Sequence, residues 1–213
     1  MKIFVTKFAC FKTSPDNPGE MPKLPYADPL FKRRLSQISR MTIEAVHGLI
    51  GENGENSDLK MVFASFRGEI TRQLKINKGL VEDKDVMPAN FSISVFNTPP
   101  AVTTIAFKMK AGYTAVYPAE DDFSSALLAA SASILCGSDK KIIFAYADEL
   151  VPAEYKDCKN YRKSLPFSFA CILSSENSSG ALELSLDCDN LSKVASSPES
   201  FLEYLESFFV RKS

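Results

Sequence analysis

The run YTAVYPAEDDFSSALLAASASILC, residues 113–136, decides how the chain is read. YTAVY (113–117) is built from aromatic and β-branched residues and reads as a strand. Pro118 turns the chain, and AEDDFSSALLAASASILC (119–136) reads as a helix whose residues are small on nearly every side. Glu120, Asp121 and Asp122 fall in its first turn, where free N–H groups and the macrodipole favour negative charge. A strand feeding a helix through one turn is the repeating unit of an α/β sheet.

The same alternation continues outward on both sides. Residues 2–11 read as a first strand, and TSPDNPGEMPKLPYADP (13–29) as a loop, because its prolines forbid regular structure. Asp28 and Pro29 start one long helix that runs to Gly51. Phe31, Leu35, Ile38, Thr42, Ala45/Val46 and Leu49 form its apolar face, with Arg33, Gln37, Arg40, Glu44 and His47 opposite. DLKMVFASF (58–66) is a second strand, RGEITRQLKINKG (67–79) a short helix, and FSISVF (91–96) extended. Thr98-Pro99 opens a helix with Val102, Ala106 and Met109 on one face. KKIIFAYAD (140–148) is a strand, and FSFACILSS with ALELSLDC reads as a hairpin over 167–188. Ser197-Pro198 caps a last helix with Phe201, Leu202, Leu205, Phe208 and Phe209 inward. The order predicts an α/β chain with a mixed, mostly parallel five-stranded sheet flanked by helices.

Composition limits what such a chain can do. Its 213 residues are 45% hydrophobic and 24% charged, which suits a single globular domain spanning 1–213. Lys and Arg number 25 against 26 Asp and Glu, so no basic field points to nucleic acid or an anionic membrane. No apolar run approaches a membrane span, and MKIFVTKFACF reads as a strand rather than a signal peptide. Five cysteines at 10, 136, 158, 171 and 188, without a C-x-x-C pair, read as free thiols of a cytoplasmic protein.

Reactive groups are scarce. One histidine, His47, falls on the polar face of the first helix and reads as solvated, so Cys-His and Ser-His-Asp devices lack a base. Cys10, Cys171 and Cys188 read as small hydrophobes in or beside strands, and Cys136 sits where the dipole opposes a thiolate. Cys158, among Lys156, Lys159 and Arg162, is the thiol most open to reagents. No metal-ligand spacing, nucleotide motif or cofactor motif occurs. Glu120, Asp121 and Asp122 read either as N-terminal capping acids or as a general base. In RGE (67–69), Gly68 permits a turn and Glu69 enters the first turn of the following helix.

The run VMPANFSISVFNTPPAVTTIAFKMKAGYTAVYPAEDDFSSALLAA (86–130) resembles the core of the N-terminal half of β-ketoacyl synthases. Phe91, Asn97, Pro99, Lys110, Gly112 and the Ser124–Ala130 run follow that family's order. FASFRGE (63–69) and FAYADE (144–149) resemble strand ends of its short members, some of which are chain-length factors of fatty-acid-like and aryl polyene pathways. The resemblance covers residues 2–188 and implies half of a thiolase fold, with 189–213 added as a C-terminal helix. It implies that the nucleophilic cysteine of a ketosynthase falls at Glu120 or Asp121, a degenerate position that cannot form a thioester. The two catalytic histidines of a ketosynthase belong to the half that these 213 residues do not include.

The resemblance therefore implies a catalytically inert accessory subunit of fatty-acid-like, polyketide or aryl polyene biosynthesis. Its expected partners are a ketosynthase, an acyl carrier protein or an acyl chain, or a second copy of itself. Half of such a fold exposes an apolar helical face that needs covering. Asn97, Tyr113, Ala115, Tyr117, Phe123, Ala126 and Ala130 are the residues expected to bind the partner or acyl chain, by edge pairing of 113–117 and close approach to the small-residue helix. The alternative is an acyl-thioester decarboxylase or hydrolase using Glu120 or Asp121. No cofactor or metal is expected.

Overall fold

The computed structural model of the protein describes residues 1–82, 87–119, 122–158 and 164–210. The strands are β1 (Lys2–Lys12), β2 (Lys60–Ala64), β3 (Tyr113–Val116), β4 (Lys141–Asp148), β5 (Phe167–Ser174) and β6 (Leu182–Ser185). They form one six-stranded sheet in the order β3-β2-β4-β5-β1-β6. β3, β2 and β4 run parallel, whereas β5, β1 and β6 are joined antiparallel. The α/β class is as expected. The five-stranded, mostly parallel sheet is not: among the described residues the sheet has six strands, and three of its five neighbouring pairings are antiparallel.

Connections explain the difference. A parallel return needs a crossover, usually a helix. Between β4 and β5 the described residues hold only a 3-10 turn, Ala153–Tyr155, and β5 comes back antiparallel to β4. The hairpin expected over 167–188 does not form either. β1 lies between its two strands, with Phe8 opposite Cys171 of β5 and Ile3 opposite Leu184 of β6. Short apolar runs locate both strands, but nothing local signals that the N-terminal strand is inserted between them.

The helices are α1 (Pro29–Arg33), α2 (Gln37–Ile50), α3 (Ile70–Glu82), α4 (Pro88–Phe91), α5 (Thr98–Ala106), α6 (Phe123–Leu135), α7 (Cys188–Val194) and α8 (Pro198–Phe209). The long helix expected over 29–50 is two. Ser36 takes an extended backbone and its hydroxyl accepts from the Ser39 N–H, which starts a new helix at Gln37. The stretch 91–96 is not extended. The hydroxyls of Ser92 and Ser94 donate to the Ala89 and Phe91 carbonyls and hold tight turns instead. Residues 189–210 hold two helices rather than one.

Two layers cover the sheet. On one face α2 and α5 lie over Met61, Phe63, Ile143 and Ala145. On the other, α6 and α8 close over Val62, Phe144 and Phe169, where Phe123 has Phe144, Tyr146, Phe169 and Phe201 around it at 5.4–6.1 Å between ring centres. Phe201, Leu202 and Leu205 point inward as expected, and Phe208 and Phe209 are partly buried against the same cluster. Ser197 and Ser200 cap α8 reciprocally.

Candidate functional site

Parallel strands β2 and β4 end side by side, and three carboxylates, Asp148 at the last position of β4 with Glu69 and Glu149 beyond the strands, are buried there. In open α/β sheets that is where ligands bind. The Asp148 carboxylate accepts from Ser65 Oγ at 2.6 Å, Tyr146 Oη at 2.5 Å and Arg67 Nη1 at 3.4 Å. Ser65 Oγ also accepts from the N–H groups of Arg67 and Gly68, so the turn after β2 is tied to the end of β4. Gly68 has φ +58°, which its missing Cβ permits, and the Phe96 ring lies 2.8 Å from where that Cβ would be.

Glu69, fully buried, accepts from Ser36 Oγ at 2.7 Å and Ser39 Oγ at 2.8 Å and faces Arg72 Nε at 3.3 Å. Glu149 Oε1 accepts from the Thr71 N–H at 2.9 Å, at the N-terminus of α3. Burial raises all three carboxyl groups, against the pull of their hydrogen bonds. For Glu149 the result is a pKa pushed up to about 7, with the neighbouring Glu69 adding to the rise. A carboxyl there can take or give a proton at neutral pH. In the sequence, Glu69 is one acid of a helical first turn and Glu149 carries no signal of its own. It is buried where the chain leaving β4 meets the N-termini of α2 and α3.

The residues expected to meet a partner divide into two groups. At the sheet edge, Asn97 Nδ2 donates to Tyr113 Oη at 3.1 Å, Ala115 is half-buried on β3, and Tyr117 is 58% exposed beside Phe66 and Phe96. Phe123, Ala126 and Ala130 instead point into the core at 0%, 0% and 1% exposure, so within this chain α8 and the sheet already cover them. The outward side of α6 is made by Leu128, Ala129, Ala132 and Leu135. The sequence does carry a signal for this side: no charged residue occurs from Phe123 to Leu135, so neither side of the helix is marked for water.

Glu120 and Asp121 lie outside the described residues. Asp122 caps α6, accepting from the Ser124 N–H at 3.0 Å. His47 is not simply solvated. Its ring stacks on Tyr26 at 3.6 Å and lies 5.9 Å from Phe107, half-buried. Gln37, expected on the polar face, is buried and donates to the Pro18 and Glu20 carbonyls. Cys171 is buried in β5, and Cys10 is pushed up to about 11 by burial and by Glu206. Cys188, expected to pack as a small hydrophobe, is exposed. Cys136 is exposed at the C-terminal end of α6, and its hydrogen bond with Ser138 lowers the thiol's pKa. Among the described residues no three His, Cys, Asp or Glu side chains gather as a metal site, and no helix is long and apolar enough to cross a membrane.

The family model for the β-ketoacyl synthase N-terminal domain matches residues 10–205, and the chain belongs to that family. Its fold is thiolase-like and resembles that of chain-length-factor complexes. The ketosynthase ApeO in complex with its chain length factor ApeC, from Xenorhabdus doucetiae, superposes with a TM-score of 0.67 at 20% identity, over 83% of this chain and 80% of that one. The ishigamide ketosynthase/chain length factor gives 0.64 at 12% identity, over 82% and 62%. A β-ketoacyl synthase from Burkholderia phymatum gives 0.56 at 14%, over 82% and 58%. No curated protein matches the sequence.

Proposed function

We propose that the chain is a β-ketoacyl-synthase-like accessory subunit that carries out no condensation and pairs with a ketosynthase. The observation that carries this reading is the uncharged surface formed by α6 and β3. Leu128 and Leu135 are each 38% exposed on a helix without a charge from Phe123 to Leu135, and the edge strand that leads into this helix, Tyr113–Val116, also has none. Soluble chains guard such edges with charges or prolines, and an unguarded edge is a template for pairing. The opposite edge has such a guard, an ion pair between Glu183 of β6 and Lys2 of β1. Two of the similar structures are ketosynthases held with a chain length factor, and by analogy a ketosynthase is the occupant assigned here.

Inertness rests on the resemblance, which puts Glu120 or Asp121 where a ketosynthase has its thiol; a carboxylate there cannot hold an acyl group as a thioester. The pathway class that goes with this reading is fatty-acid-like, polyketide or aryl polyene biosynthesis. The test is affinity purification of the tagged chain co-expressed with ketosynthases from its own host. The expected result is a stable complex that Ala129→Lys abolishes and that Glu120→Gln with Asp121→Asn leaves intact. A complex indifferent to Ala129→Lys would overturn the assigned surface. Acyl-thioester turnover that disappears with the two carboxylates would replace this reading with a hydrolase or decarboxylase.

A further inference from the structure

Away from α6 and β3, a cavity of about 1050 Å³ opens between the α1–α2 junction, α3, the segment around α4 and the chain after β4. Arg33 and Arg34 line it from the junction, and Arg72 and Lys75 line it from α3. The two walls touch where Arg72 Nη2 donates to the Arg34 carbonyl at 2.9 Å, and all four cationic residues line the one cavity. Only Arg72 has an ion-pair partner among the described residues, the buried Glu69. Among the described lining residues the acid is Glu149, which is buried. Leu35, Ile76 and Ile93 supply apolar wall.

Like charges held together repel one another, and the repulsion grows where nearby protein lowers the effective dielectric. An anion relieves it. Guanidinium groups offer paired N–H donors that match the oxygens of a carboxylate or a phosphate. The volume reaches the upper end of the range for small-molecule sites, and an apolar wall with convergent polar groups is their usual lining.

We propose that this cavity binds a small amphiphilic oxyanion, a carboxylate or phosphate monoester on an alkyl body, with its head among Arg33, Arg34, Arg72 and Lys75 and its body against Leu35, Ile76 and Ile93. The site is distinct from the pairing surface assigned above, and its test does not depend on that assignment.

The experiment is calorimetric titration of the full chain with decanoate, decyl phosphate and inorganic phosphate, repeated on Arg34→Glu and Lys75→Glu. Both residues are exposed, so the variants are expected to keep the melting temperature of the parent chain. The expected result is that at least one decyl probe binds more tightly than inorganic phosphate and loses affinity about tenfold or more in each variant. The tighter decyl probe then identifies the head group. Equal binding by parent and variants, or no binding by either decyl probe, overturns the proposal. Variants that bind neither probe but lose capture of an acidic protein, with a parent that also binds no probe, would make this a protein-docking face and overturn it as well. A diazirine-bearing decanoate gives an answer that needs no variant. Crosslinks within 71–79 or 87–93 of the parent chain support the site, and crosslinks confined elsewhere overturn it.

Discussion

Helices α3 and α6 both follow the C-terminal end of a parallel strand, yet they are held in opposite ways. α3, sequence ITRQLKINKGLVE, buries only Ile76. Its position depends on its N-terminus, where Glu149 accepts from the Thr71 N–H and Glu69 joins Arg72 to the two serines of the α2 cap. α6 has no charge and buries Phe123, Ala126, Leu127, Ala130, Ser131 and Ile134. One helix is held by polar bonds, the buried ones at its N-terminus and an exposed Lys78–Glu154 ion pair further along, the other by apolar contact along its length. Anchoring by contact leaves α6 free to be uncharged on its outer side as well, which a partner can use. With little apolar surface to bury, α3 can present Arg72 and Lys75 to a cavity.

Substitutions put this contrast to the test. The largest effect is expected from Phe123→Ala. Removing a fully buried ring costs about 3–5 kcal/mol, visible as a fall in the urea midpoint with m unchanged. Should Phe123→Ala prove nearly neutral, contact along α6 is not what holds it.

Next comes Glu149→Gln, which keeps the acceptor for the Thr71 N–H but removes the proton. The folded chain holds that proton up to about pH 7, against the ordinary glutamate value of 4.5 in the unfolded chain. The native state therefore binds more protons across that window, and the contribution of Glu149 to stability falls as pH rises from about 4.5 through 7. The loss amounts to about 3 kcal/mol at full ionisation. At pH 8 the variant is expected to be more stable than the parent, and its stability to change less between pH 5 and 8. The slope that remains belongs in part to Glu69 and Asp148, which burial raises in the same direction. A variant less stable than the parent at pH 8 would show that the charge at the α3 N-terminus stabilises the fold.

Ala130→Leu is third. It forces extra methylenes between α6 and the sheet and costs about 1–3 kcal/mol in chemical denaturation. Smallest in stability is Ala129→Lys, one position along on the exposed side, expected within about 0.5 kcal/mol of the parent. The pair separates core from pairing surface. If Ala129→Lys destabilises the isolated chain as much as Ala130→Leu, the two sides of α6 are not distinct.

Much of the fold is legible in local patterns. Short apolar runs rich in β-branched and aromatic residues locate all six strands, with alternation clear in β6 and lost in the central β4 and β5, which are buried on both faces. Asp28 and Ser197 mark helix starts because a cap satisfies N–H groups a few residues away, and Pro99 marks another because its fixed φ suits a first helical turn. The break at Ser36 carries the same mark, a capping serine, but Leu35 and Ile38 keep the helical rhythm across it and mask it. His47 looks solvated from its own helix because the ring that covers it, Tyr26, comes from the proline-rich loop. Phe123, Ala126 and Ala130 do form a contact surface, but what they meet is the sheet and α8 of the same chain.

Near neighbours along the chain were enough to locate the strands and most helix starts, and to fix the family and the lack of a cysteine at the start of the small-residue helix, since each is written within a few residues. Folding in three dimensions was needed to insert β1 between β5 and β6, to bury Glu149 with a pKa near neutrality, and to bring Arg34 and Lys75 to one cavity. Those features arise from contacts between residues tens of positions apart, and hydrophobic period and capping chemistry do not specify which distant segments meet.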